Sequence, residues 1–135
     1  VIDRIFPLAA TQDVVFTLDD LAALPDTSLS AIVRDAIRFY IAFHRESDGI
    51  DGCYLHDPVT LIGSLLVPNL VTETVHEALA CDTSADLQAA GSLYRWTDGG
   101  RPTAEIATII DADGMKAELL ARLARAVAAP THGGK

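Results

Sequence analysis

Basic side chains are scarce in this 135-residue sequence: ten lysines and arginines stand against nineteen aspartates and glutamates, for a formal net charge of −9. Duplex nucleic acid and anionic membrane surfaces both want clustered Lys and Arg, so the balance argues against either as a partner. Cysteine is nearly absent. Cys53 and Cys81 are too few and too far apart for a disulfide scaffold or a zinc ribbon, and both are expected to be buried thiols in a reducing compartment. No charged-then-apolar leader opens the chain, and no apolar run approaches the ~20 residues of a membrane span. The expectation is a soluble, cytoplasmic protein. The sequence opens on Val1, not on methionine, which suggests missing sequence upstream. Repeats and linkers are lacking too, and only Pro130 to Lys135 (PTHGGK) reads as a frayed tail. Residues 1–129 therefore form one unit. Half of the residues are hydrophobic, enough to build a core.

What is there alternates between strand and helix signals. Val1 to Leu8 reads as an incoming strand. Thr17 opens a capping pattern with Asp20 three residues on, and Pro25 ends that short helix. Ser28 or Ser30 is expected to cap a longer helix whose apolar stripe runs through Leu29, Val33, Ala36 or Ile37, and Tyr40. It fades near His44 or Glu46, and Ser47 to Gly52 (SDGIDG) is a turn-rich loop. Asp57 and Pro58 then suit the N-cap and first position of a helix. That helix is apolar almost all round to Val67, which predicts burial on most sides, and Pro68 stops it. Thr83 to Asp86 suggests a turn, and Gly91 to Thr97 a returning strand. Thr103 to Ile110 alternates through Ile106, Thr108 and Ile110 as another strand. Asp111 or Asp113 caps a last helix with a stripe of Met115, Leu119, Leu123 and Val127. The alternation predicts an α/β fold.

Chemistry concentrates in Gly49 to Pro68, GIDGCYLHDPVTLIGSLLVP. A loop delivers His56 and Asp57 to the mouth of a helix, the kind of junction at which α/β proteins collect ligands. Asp57 is either a plain helix cap or a hard oxygen ligand for Ca²⁺ or Mg²⁺. His56 is either a loop histidine bonded to backbone or a group that holds a proton near neutral pH and gives it to a leaving group. Tyr40 and His44, four residues apart, share one helix face near its end, as core aromatics or as a cover over a ligand.

FYIAFHRESDGIDGCYLHDPVTLIGSLLVPNLVT resembles the C-terminal segment of the inosine-uridine preferring nucleoside hydrolases: a helix with ligand-facing aromatics or histidines, a mobile loop, and L-H-D-P before a buried helix and a proline. PLAATQDVVFTLDDLAAL is similar to the family's "LDVT" strand end and following helix, with Ala9 where the family has aspartate. IATIIDAD resembles its final strand. The likeness runs from about Ile5 to Val127 and implies an α/β fold, the C-terminal part of a Rossmann-type open sheet with helices packed on a few strands.

The resemblance also implies a calcium-dependent N-ribohydrolase acting on purine or pyrimidine ribonucleosides. Asp57 matches the family's calcium ligand in the HDP position, and His56 the histidine beside the base, assigned to leaving-group protonation or stacking. His44 and Tyr40, twelve and sixteen residues upstream of His56, match residues that close over the base. The family's D-x-D-P-G-x-D-D motif is lacking, and with it the general base and most calcium ligands, as are its ribose-binding asparagine and glutamate residues. Ca²⁺ needs ~6–8 oxygens, so the expectation is a C-terminal portion inactive by itself. Strands and an apolar face left uncovered predict a homo-oligomer or pairing with a missing N-terminal half. The alternative is a non-catalytic remnant serving as an interaction or ligand-binding module.

Overall fold

The computed structural model describes residues 3–81, 93–95 and 104–128. The expected turn at Thr83 to Asp86 and the tail from Pro130 lie outside the described residues. In chain order the elements are β1 (Asp3–Ile5), α1 (Leu8–Thr11), β2 (Val15–Phe16), α2 (Leu18–Ala22), α3 (Ser28–Ser47), β3 (Cys53–Tyr54), α4 (His56–Leu61), β4 (Val71–Glu77), β5 (Leu79–Cys81), β6 (Leu93–Arg95), β7 (Ala104–Ile110) and α5 (Ala112–Ala128). A π-helical turn (Ile62–Leu66) extends α4, and a 3₁₀ turn (Pro68–Leu70) begins at Pro68. The fold is mixed α/β, as expected.

Three strands form an open sheet in the order β1-β7-β4, with β1 parallel and β4 antiparallel to β7. Arg4 and Glu105 face each other across the parallel pair. The guanidinium grips the carboxylate twice, at 3.0 and 2.9 Å, and gives a third bond to the Gly63 carbonyl at 3.1 Å. This ties the sheet to the π turn and holds the Glu105 carboxyl below its ordinary range. The strict alternation read for β7 does not hold: Ala104, Ala107 and Ile110 are buried and Ile109 is 46 % exposed. Its pairing with β4 shifts register between Val71 and Thr74, and such an irregularity re-aims the side chains around it.

The capping box at α2 forms as the sequence predicts, with Asp20 N–H on the Thr17 hydroxyl and the Asp20 carboxylate on the Thr17 N–H. Lys116 of α5 reaches the same carboxylate at 2.7 Å, locking α2 to α5. Burial pushes the Asp20 pKa up, but the Lys116 and Thr17 bonds together outweigh it, and the net shift is down.

Three local expectations need correction. Thr27, rather than Ser28 or Ser30, caps α3, and its hydroxyl accepts from the Ser30 N–H at 3.1 Å. Of the stripe expected on α3, Val33 and Ile37 do pack against the core, but Leu29 and Tyr40 stay exposed, and the buried residues of the helix are Ser30, Ile41 and His44; Arg34 turns to the Leu21 and Leu24 carbonyls. The helix after His56 is not buried on most sides: Val59, Ile62 and Gly63 face inward while Leu61, Leu65 and Leu66 stay exposed.

Asp111 caps the last helix, its carboxylate accepting from the Gly114 N–H at 2.9 Å, and the helix's stripe is inward, with Met115, Leu119 and Val127 buried and Leu123 partly so. Phe16, Cys53, Val59, Ile62 and Met115 form the centre of the core, between the β2–β3 strand pair, α4 and α5. Burial of Cys53 follows the expectation. Cys81, at the end of β5, is exposed, contrary to it, because it lies on a two-stranded ribbon away from the core. No helix among the described residues is long and apolar enough to cross a membrane.

Candidate active site

The β2–β3 pairing builds the site. Val15 pairs with Tyr54 and Phe16 with Cys53, which brings α1, just before β2, against the start of α4, just after β3. The chain makes the return through Gly49, at φ +71°, where an L side chain would be strained. Gly52 then passes so close to β2 that an added Cβ would lie 2.5 Å from Val15 Cγ1 and 2.8 Å from the Phe16 carbonyl oxygen.

An open cleft of about 360 Å³ lies where this strand pair meets α3, lined by Tyr40, Tyr54, Leu55, His56, Asp57 and Pro58. Three of the four residues singled out in the sequence, Tyr40, His56 and Asp57, therefore share one hollow. His44 does not line it. It is buried, with Nδ1–H donating to the Tyr40 carbonyl at 3.0 Å, and its ring meets Tyr40 and Tyr54 edge-on with centroids 4.3 and 5.4 Å away. His44 is thus the post on which the two tyrosines stand. Tyr54, whose ring lies 5.6 Å from that of His56, was not singled out in the sequence although it sits two residues before it.

The cap expected at Asp57 is not formed. The helix begins two residues earlier than expected, at His56, with Leu55 at the cap position and no side-chain capping bond; the Val59 N–H closes the first turn on the Leu55 carbonyl at 3.1 Å. Pro58 is tolerated inside this turn because the first N–H groups of a helix have no intrahelical partner. Asp57 is exposed at the second helical position, where the helix dipole favours a carboxylate. The plain-cap reading of Asp57 is thereby removed.

His56 is held from below. Its Nδ1 lies 2.7 Å from the hydroxyl of Thr11, which is 1 % exposed and also bonds to the Leu8 carbonyl at 3.2 Å. Thr11 carries no sequence signal for this, since forty-five residues separate it from His56.

The donor set for a metal is sparse. Among the described residues no three His, Cys, Asp or Glu side chains group closely enough to hold an ion. Asp57 brings one carboxylate where Ca²⁺ wants ~6–8 oxygens, so the residues present do not make a calcium site by themselves.

The α/β scaffold thus carries a cleft lined by two tyrosines beside a tethered histidine and an exposed carboxylate. The chain belongs to the inosine-uridine preferring nucleoside hydrolase family, whose model matches residues 1–117. It is 29 % identical over 125 residues to a probable uridine nucleosidase 2 of Arabidopsis thaliana, covering 84 % of this chain and 38 % of that protein. Among solved structures it is similar to the plant nucleoside hydrolase PpNRh1, at 26 % identity and a TM-score of 0.71, over 89 % of this chain and 39 % of the other. The fold is also shared with a purine-preferring ribonucleoside hydrolase from Gardnerella vaginalis, at 21 % identity and a TM-score of 0.80, over 90 % of this chain and 39 % of that one. The chain thus spans about two-fifths of the length of the relatives it matches.

Proposed function

We propose that this chain supplies the base-binding corner of a nucleoside N-ribohydrolase that hydrolyses the bond between ribose and a purine or pyrimidine base. One observation carries the reading: Tyr40, His56 and Asp57 border one cleft, with Asp57 released from any capping role. In the reaction the C–N glycosidic bond breaks, its electron pair leaves with the base, and water supplies the new oxygen on the ribose carbon. Positive charge grows on the sugar and negative charge on the base. A carboxylate suits the first, and an imidazolium giving its proton to a base nitrogen suits the second. Tyr40 and Tyr54 offer flat walls for a heterocycle, with His44 buttressing both.

Asp57 is proposed as one donor to a Ca²⁺ ion whose other oxygens come from outside these 135 residues, so the chain alone is inactive. Residues 1–129 would then be one partial domain, completed by an N-terminal half or covered by a second copy. The buried thiol of Cys53 suits the reducing cytoplasm in which we place the protein. A second reading, a non-catalytic interaction module, is favoured by the exposed leucines 61, 65 and 66.

The test is reconstitution. This chain is mixed with the N-terminal half of a family member that bears the D-x-D-P-G-x-D-D motif, and inosine and uridine hydrolysis is assayed with and without Ca²⁺. Activity that requires both pieces, and is lost in Asp57→Ala, supports the proposal. A stable complex with no hydrolysis of any ribonucleoside would favour the interaction module instead.

A further inference from the structure

The contacts around Thr11 assign a single arrangement of protons. Its Oγ1 lies 2.7 Å from His56 Nδ1, 3.2 Å from the Leu8 carbonyl oxygen and 3.5 Å from that of Pro7. A threonine hydroxyl has one proton and two lone pairs. If that proton pointed at Nδ1, the oxygen would face two carbonyl oxygens with nothing between, a contact of acceptor against acceptor. If it points along the helix to the Leu8 carbonyl, the back-bond familiar for helical threonines, both close contacts become hydrogen bonds. Nδ1–H then donates to Oγ1, and Oγ1–H donates to the Leu8 oxygen. Water cannot substitute, because Thr11 is 1 % exposed, and a buried hydroxyl is costly to leave unpaired.

We infer that Thr11 is a positioning residue that locks the neutral ring of His56 as its Nδ1–H tautomer, leaving Nε2 as the nitrogen that exchanges a proton with a ligand in the cleft. Imidazole side chains free in water favour the opposite tautomer, so the lock does something the ring would not do unaided. The role of Nε2 in protonating a departing base rests on the function proposed above; the tautomer does not. The β2–β3 pairing makes the arrangement possible, because it delivers the end of α1 and the start of α4 to the same place.

The experiment is ¹⁵N-detected NMR of the histidine rings in the full chain, without substrate or added metal, at a pH where the ring is neutral. Wild type and Thr11→Ser are expected to show His56 with a protonated Nδ1 and an unprotonated Nε2. Thr11→Val, nearly the same shape but unable to accept, is expected to shift the ring toward the Nε2–H form. Wild-type protein carrying Nε2–H would overturn the inference, as would an unchanged tautomer in Thr11→Val. Should the valine variant fail to fold, wild type and the serine variant decide the matter alone. The reading needs no substrate, so its failure is distinct from failure of the nucleoside proposal, which the reconstitution assay decides.

Discussion

The ring of His44 stands edge-on beneath Tyr40, with centroids 4.3 Å apart, while its Nδ1 is bonded to the Tyr40 backbone carbonyl at 3.0 Å. The same ring also meets Tyr54 edge-on. A single buried imidazole therefore sets the positions of both aromatic walls of the cleft. His44→Phe keeps the packing and loses the hydrogen bond, and is expected to cost about 1 kcal/mol. His44→Ala leaves a void under both tyrosines and should cost on the order of 2–3 kcal/mol. Urea unfolding of both variants checks the order, and equal losses would contradict the buttressing role.

Thr17→Ala removes the hydroxyl half of the capping box at α2. The expected loss is about 1 kcal/mol, the usual value of an N-cap. Thr17→Asn, which can still accept from the helix N–H groups, should recover most of it in the same denaturation measurement.

The Arg4–Glu105 pair makes stability depend on acid. The Arg4 guanidinium, with smaller help from Thr74 and His76, lowers the folded pKa of Glu105. The unfolded chain then binds the proton more readily, so the pair's contribution is present above the ordinary glutamate pKa of about 4.3 and is lost as pH falls through the depressed folded value. Glu105→Gln should lower Tm at pH 6–7, roughly the plateau above that range, and the gap to wild type should close in acid. A gap constant with pH would mean that the ion pair is not its source.

Burial raises the Cys53 thiol to a pKa of about 11, while Cys81 is exposed. Thiolate is the reactive species, so at neutral pH a native sample should take up one equivalent of a thiol reagent, at Cys81. Mass spectrometry should find Cys53 modified only after denaturant is added. Rapid native labelling of Cys53 would show that the β2–β3 pair opens readily.

Leu65 is 72 % exposed on the π turn beside exposed Leu61 and Leu66. Apolar side chains clustered in this way favour association. Sedimentation velocity should show wild type as a larger species and Leu65→Asp shifted toward monomer. Unchanged sedimentation would place any contact elsewhere.

Much of this protein is legible in the sequence because the causes are local. The Thr17–Asp20 box, the Asp111 cap and the α5 stripe of Met115, Leu119 and Val127 each depend on residues within a few turns of one another, and short-range rules find them. The Gly49 to Pro68 run likewise announces the corner of the site by its own residue types. The tertiary structure decided the rest. Whether Asp57 caps a helix or faces a cleft depended on where α4 starts. That Leu29 and Tyr40 stay exposed while Ile41 and His44 are buried was decided by how α3 packs on the core, and the outcome placed His44 behind the tyrosines. The tether from Thr11 to His56 crosses forty-five residues and exists only because β2 and β3 pair. A sequence determines which groups are present and how their neighbours bias them. Contacts that close long loops offset the entropy of closure only when the whole core forms, so their partners emerge from the packing and from no single stretch of the chain.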